Sequence, residues 1–415
     1  MDQPARESRS ERPGFGNPAA SPRGSNQSGM RAYNERLVLS LVRRHGSLAK
    51  SEIARLTGLS AQTVSVIMRA LEAEHLLVRG APQRGKVGQP SVPLSLDPDG
   101  VFSLGLKIGR RSADLILMDF MGAVRMALHE PYAFAVPEQI LQIATEGVAK
   151  LTDHLSASQC ERIGGLGIAM PFQLWNWAPE VGAPDMAMDG WRTFDIKEEL
   201  QARLPFPVYV QNDATAACGA ELVFGRGREF TDFVYFYVGF FAGGGIVLNG
   251  SLYSGPTGNA GAFGPMPVPG PNGRPHRLID SASIAILERM IGNAGGDPSV
   301  LWRSPDDWSD IGNPDLLDDW IALAARGLAS ATASACSVID FEAVIVDGAF
   351  PVHVRESLSS RLEKDLLQLD WQGIAMPQVV QGKVGTRARA IGGASVPIFE
   401  DYLLDQNALL KGQAG

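Results

Sequence analysis

Between Tyr33 and Leu96 apolar residues recur first at helical and then at alternating spacing, which predicts three helices followed by a two-stranded hairpin. Over Tyr33 to Arg44, Leu37, Val38, Leu41 and Val42 form one stripe and predict the first helix. Ile53, Ala54 and Leu56 give the apolar side of a short second helix, and Gly58 permits a turn. Ser60 then stands as the N-cap of a third helix with Val64, Ile67, Met68 and Leu71 on one side. Leu76 to Val78 and the alternating Val92, Leu94 and Leu96 read as two strands.

This is the outline of a winged helix-turn-helix, whose third helix enters the major groove of double-stranded DNA. On that reading Ser60, Gln62, Thr63 and Ser65 approach base edges or phosphates, and Arg69 neutralises a phosphate further along. The strand-joining loop RGAPQRGKVGQPS, with Arg84 and Lys86 near its tip, suits a phosphate backbone. The plain alternatives are a helical hairpin with a polar face and a solvated basic loop. Charge favours the first reading: residues 1–95 hold 14 Lys and Arg against 7 Asp and Glu, in a chain whose totals are 37 and 45. A basic end on an acidic chain confines the phosphate-seeking surface to that end.

Downstream the periodicity changes. VFSLGLKI and ADLILMDF read as neighbouring strands, Pro137 to Leu155 as an amphipathic helix, IGGLGIAM and PVYVQND as buried strands, and Ala214 to Phe224 as a helix. FVYFYVGF and GGIVLNG form another strand pair before a long Gly/Pro-rich loop. Helices follow around Ile284 to Ile291 and over Trp320 to Val338, the second running into AVIVDG. Such alternation predicts α/β layers, and 415 residues suffice for a small module and a two-lobed body. No short-period repeat is visible.

The first 29 residues are polar and Pro/Gly/Ser-rich, which predicts a disordered tail without the apolar stretch of a secretory signal. No apolar run is long enough to span a bilayer. Cys160, Cys218 and Cys336 are widely spaced and odd in number, as expected of reduced thiols in a cytoplasm.

PVYVQNDATAACGAELVFG followed by GGGIVLNGSLYSGPTGNAGAFG, behind a winged helix-turn-helix, resembles the transcription-regulator branch of the ROK family (repressors, open reading frames and sugar kinases). The resemblance runs from about Met30 to about Tyr402. It implies a two-lobed, actin-like ATPase fold with a sugar pocket in its cleft, and regulators that repress sugar-utilisation genes until a ligand releases them. The corresponding layout is a tail over 1–29, the DNA-binding module over 30–96, a small lobe over 100–212 with 395–415, and a large lobe over 213–394.

Several motif positions depart from the family's kinases. Their Asp-x-Gly-x-Thr turn, which handles ATP phosphates and metal, is here Lys107-Ile108-Gly109-Arg110-Arg111. The phosphate loop Gly-Thr-Gly-x-Gly is Gly239-Phe240-Phe241-Ala242-Gly243, with two bulky rings where small residues let backbone N–H groups approach oxygen. Asn212 and Asp213 match the family pair that holds a sugar hydroxyl and takes its proton. The sugar-binding Glu and His are replaced by Ala262 and Pro265. The family's cysteine-rich zinc loop is PVPGPNGRPHRLID, where Asp280 stands in for the final Glu of the motif and no zinc set can be assembled.

The expected protein is thus a DNA-binding regulator, a repressor of carbohydrate-utilisation genes. Its body has no catalytic residues, cofactor or metal, and binds a sugar-like effector near Asn212, Asp213 and Asp280. The expected assembly is a homodimer or homotetramer. A sugar kinase that also binds DNA, and a ligand-independent DNA-binding protein, are the alternatives. Asp213 has a plainer role open to it, as a helix cap. Trp175, Trp177 and Trp191 fit either ligand stacking or the core.

Overall fold

A computed structural model of the chain describes residues 27–82, 92–179, 181–270 and 274–404. Most of the tail expected over 1–29 lies outside these residues, but its last three belong to the first helix, α1 (Gln27–His45). Val38, Leu39, Leu41 and Val42 on α1 are buried against Ile53 of α2 (Lys50–Thr57) and Val64, Ile67, Met68 and Leu71 of α3 (Ala61–Ala73). Gly58 makes the turn at φ +69°, where a Cβ would strain the backbone, and its N–H caps α2 by donating to the Ala54 carbonyl at 3.0 Å. Strands β1 (Leu77–Arg79) and β2 (Leu94–Leu96) pair antiparallel as the wing. Leu48 bonds Leu94 in both directions, closing the wing onto the helices.

The body holds two five-stranded sheets of the same topology. In the first, β3 (Phe102–Ile108), β4 (Ser112–Asp119) and β5 (Val124–Pro131) form an antiparallel meander. On the other side of β3, β6 (Ile163–Met170) and β7 (Val208–Asn212) add in parallel, giving the order β5-β4-β3-β6-β7. The second repeats this with β8 (Phe233–Val238), β9 (Ala242–Leu248) and β10 (Ser251–Tyr253) as meander. Beyond a small hairpin of β11 (Pro267–Pro269) and β12 (Pro275–Arg277), β13 (Ala343–Gly348) and β14 (Gln378–Gln381) complete it as β10-β9-β8-β13-β14. The central strands are buried throughout, as FSLGLKI and FVYFYV require. β7, expected to be buried, is partly exposed because it is an edge strand with one neighbour.

Helix α4 (Pro137–Thr152) covers the first sheet. Helices α6 (Ile284–Asn293), α7 (Pro314–Cys336) and α8 (Val352–Leu366) contribute to the core of the second. Between the sheets lie α5 (Asp213–Phe224) and α9 (Ala388–Asp401). Helix α9 packs on β3 and β6 and against α5, and the whole helix, from Ala388 rather than from 395, is the segment that returns to the first sheet. Glycines allow the approach: a Cβ on Gly167 of β6 would lie 1.8 Å from the Gly393 carbonyl oxygen.

The DNA-binding module rests on the end of α9. Arg36 of α1 donates to the Phe399 and Leu403 carbonyls at 2.9 and 3.0 Å, and the Ser40 hydroxyl accepts the Leu404 N–H at 2.8 Å. The apolar core of the module is continuous with Ile116, Met118 and Phe120 of the body and with Ala390, Ala394 and Ile398 of α9.

Candidate DNA-reading face and interlobe cleft

Helix α3 starts as its sequence predicts. The Ser60 hydroxyl accepts the Thr63 N–H at 3.1 Å and lies 2.8 Å from the Thr63 hydroxyl. Ser60 and Thr63 therefore organise the helix start, while Gln62 is exposed at its first turn. Ser65 is half-buried, and its carbonyl accepts from Arg69 Nε at 3.1 Å, which directs the exposed guanidinium along the helix. Val66 is 50% exposed on the same helix, an apolar contact available to a thymine methyl. Arg79, part of the basic wing sequence, is paired with Glu72 of α3. Arg84 and Lys86 lie outside the described residues.

The second candidate site is a cavity of about 340 Å³ between the two sheets. Lys107, at the end of β3, is buried on its floor, 2.6 Å from the Ser112 hydroxyl and 2.8 Å from Asp114 Oδ2. Burial pulls Lys107 down to about 8 against the attraction of Asp114. Burial opposes ionisation of Asp114, but Lys107 and then His129 overcome it and hold its carboxyl well below the usual carboxylate range. Lys107 thus serves Asp114 instead of standing free for a phosphate.

Arg111 is also spoken for. It donates to the Val181 carbonyl at 2.9 Å and to the Ala133 carbonyl, and pairs with Glu288 of α6, bridging the first sheet to the other lobe. The Phe240 and Phe241 loop docks on the start of α6. Gly239 and Phe240 carbonyls accept from the Ile284 and Ala285 N–H groups at 3.0 and 3.1 Å, and the Ala242 N–H donates to Ser283 at 3.0 Å. Phe240 is buried in the core of the first sheet, and Phe241 lies 4.5 Å from the Trp177 ring with the Arg110 guanidinium over both. Side chains and internal hydrogen bonds thus occupy the loop from Gly239 to Gly243. Trp191 is a core residue bonded to the Ala135 carbonyl at 3.0 Å, and Trp175 lies beside Arg192.

Asn212 and Asp213 divide two roles. Asn212 is the N-cap of α5, its side-chain oxygen accepting from the Ala214 and Thr215 N–H groups at 3.1 and 3.2 Å. Asp213 accepts from Ala214 N–H at 3.0 Å and is paired with buried Arg389 of α9 at 3.2 Å. Although burial works against it, the Tyr237 and Asp213 surroundings raise Arg389 above its ordinary value, so it stays charged. Arg389 lines the cavity and its Nε is buried without a partner. Asp280 is the second residue of a short helix, Ile279–Ala282, with its carboxylate held by Arg277 at 2.9 and 3.0 Å. It does not line the cavity that Arg389 lines. Among the described residues no three His, Cys, Asp or Glu side chains are grouped as metal ligands would be.

Sequence reasoning did not single out His129, Trp302 or Arg389. His129 Nδ1 bonds Asp114 and Nε2 lies 2.9 Å from the Trp302 carbonyl on the opposite lobe. Both partners are acceptors, so both ring nitrogens carry protons. The Asp114 bond, outweighing burial, raises His129 above 6.5. A raised histidine value contributes stability fully below the unfolded value and loses it as pH rises through the folded one. The chain is therefore expected to lose a stability increment above about pH 6.5 that His129→Gln lacks. Urea midpoints at about pH 6 and about pH 8 check this, and equal pH slopes for the two proteins would remove the bridge from the account.

Residues 103–278 match the model of the ROK family, and residues 31–78 match that of winged helix-turn-helix DNA-binding domains. An uncharacterised protein, y4fQ, of Sinorhizobium fredii is 24% identical over 89% of this chain and 92% of its own. The xylose repressor of Bacillus spizizenii is 25% identical over 59% of this chain and 62% of its own length, less than two thirds of that relative. The solved structure of a ROK family transcriptional regulator, a homologue of the Escherichia coli MLC protein, covers 92% of this chain and 97% of its own. It has a TM-score of 0.63 at 19% identity, and so shares the fold. No helix of the described residues is long and apolar enough to cross a membrane. The chain joins a winged helix-turn-helix DNA-binding domain to a ROK family domain.

Proposed function

We propose that the protein is a cytoplasmic DNA-binding transcriptional regulator, a repressor of carbohydrate-utilisation genes, whose body receives a sugar-like effector and does not phosphorylate it. The observation that carries this reading is the pairing of a capped, solvent-facing α3 with a body whose phosphate loop is filled by Phe240 and Phe241. The xylose-repressor relative supplies the carbohydrate class. The effector enters the cleft that Arg389 lines, where Arg389 Nε is a buried donor without a partner among the described residues; Asn212 and Asp213 do not line it, and Asp213 acts through its pairing with Arg389. An effector acts only if it binds one lobe arrangement better than another.

Full-length protein should retain specific fragments from a genomic pool, and one member of a sugar panel should release them. The same panel in an ADP-release assay should show no turnover; robust turnover would restore the kinase alternative. Asp213→Asn, which removes the charge facing Arg389 at constant size, is expected to abolish the sugar's effect while leaving ligand-free DNA affinity close to the parent's. A variant that responds as the parent does would move the effector site elsewhere.

A further inference from the structure

A second cavity, of about 270 Å³, lies where α1 meets the ends of α5 and α9, on the seam between the DNA-binding module and the body. The α1 sequence ends in LVRRH, so that when Leu41 and Val42 enter the module's core the following arginines reach the seam. The Arg43 guanidinium sits between the rings of Phe224 and Phe399, 4.9 and 5.3 Å from their centroids. Its Nη1 and Nη2 are both buried and have no hydrogen-bond partner among the described residues. Arg44 and Arg228 are exposed on the same cavity's rim. Glu229, the one carboxylate among the described lining residues, is taken by Arg226 at 2.6 and 2.8 Å. Asp119, the acidic group that acts on Arg43 from a distance, is held by Arg125 at 2.7 Å.

Among the described residues the cluster therefore lacks a counter-charge. Burial, and then the like charge of Arg228, bring Arg43 down to about 9. Arg43 still carries its proton at neutral pH. Phenyl faces offset part of the cost of burying it but offer its N–H groups no acceptor. Planar guanidinium forks with open donors match the oxygens of a phosphate group.

We propose that this seam binds the phosphate group of a phosphorylated small molecule, and that its occupation sets how the DNA-binding module sits on the body. The module is fixed to α9 and the residues just after it two turns and one turn earlier, through Arg36 and Ser40, so a ligand at Arg43 bears on the same joint. The effect on DNA rests on the regulator reading above, whereas phosphate binding does not.

Calorimetry on the full chain decides the site, with inorganic phosphate and pyrophosphate as probes and chloride at matched ionic strength as reference. One saturable site per chain is expected. The double variant Arg44→Gln/Arg228→Gln changes two exposed side chains and should weaken binding at least about tenfold without altering the melting temperature. Arg43→Met should abolish binding and keep or raise the melting temperature, because it replaces an unpartnered buried cation by an apolar chain between two rings. A purely structural arginine would instead leave a less stable variant. Absence of saturable binding, or binding that survives the double variant, overturns the site. If that variant loses DNA affinity while phosphate affinity is unchanged, the arginines belong to the DNA surface and the proposal fails. Phosphate that binds the parent yet leaves its DNA affinity at the chloride value overturns the coupling. A chain that binds phosphate but no DNA defeats the regulator reading and leaves the site standing.

Discussion

Gly392→Ala is expected to destabilise the body by about 4 kcal/mol or more, a large fraction of the stability of a folded domain. In an isolated helix the change would be favourable by about 1 kcal/mol, since alanine is the better helix former. Here the added Cβ would stand 1.9 Å from the Ala216 carbonyl oxygen and 2.3 Å from its carbon, which are backbone atoms of α5 that cannot rotate away. Relief would require α5 and α9 to separate, and α9 is held on its other side by Gly105 and Gly167. The sign of the effect therefore discriminates. Urea unfolding of the purified variant, or its recovery as aggregate, checks the expectation, and a stabilised variant would show that the two helices do not meet this closely.

The second large effect is expected at Asp347, which is wholly buried at the end of β13. Its carboxylate accepts from Arg355 at 2.8 Å, from the Gly348 and Gly385 N–H groups at 2.9 Å each, and from the Tyr235 hydroxyl at 3.2 Å. Asp347→Ala leaves a buried guanidinium and a buried phenol without their acceptor and is expected to cost about 3–5 kcal/mol. Asp347→Asn retains the shape and part of the hydrogen bonding and should cost less. Because Gly385 opens the turn, Gly385–Arg387, that leads into α9, the loss should also loosen that helix, read as faster amide exchange over 388–401. Equal stability of parent and alanine variant would contradict the network.

The module was legible because its signals are local. A serine cap, a glycine turn and helical spacing of apolar residues each act within a few positions, and the observed α2, α3 and hairpin follow them. The twofold recurrence of sheet topology was not, because strands of equal rank share only an apolar pattern and no residue string. β5 is hard to read from sequence because Arg125, His129 and Glu130 break up the apolar residues of this edge strand. α9 was missed since two glycines and Pro397 argue against a helix on local propensity. Their value lies in contact with other elements, which tertiary packing decides. The same reason hid Arg389 and His129, whose partners are distant in sequence. Asn212-Asp213 was found by motif, yet the motif could not divide the pair into a helix cap and an ion-pair partner.

The central claim, that α3 reads DNA, is tested most directly by fluorescence anisotropy of the full chain on a selected fragment and on mismatched ones at several salt concentrations. The account predicts that Arg69→Ala weakens binding about equally on all fragments and lowers the slope of log affinity against log salt by about 1. It predicts that Gln62→Ala changes preference at one base position by about 1–3 kcal/mol with little change in that slope. Parent-like affinity, selectivity and salt slope in both variants would contradict it.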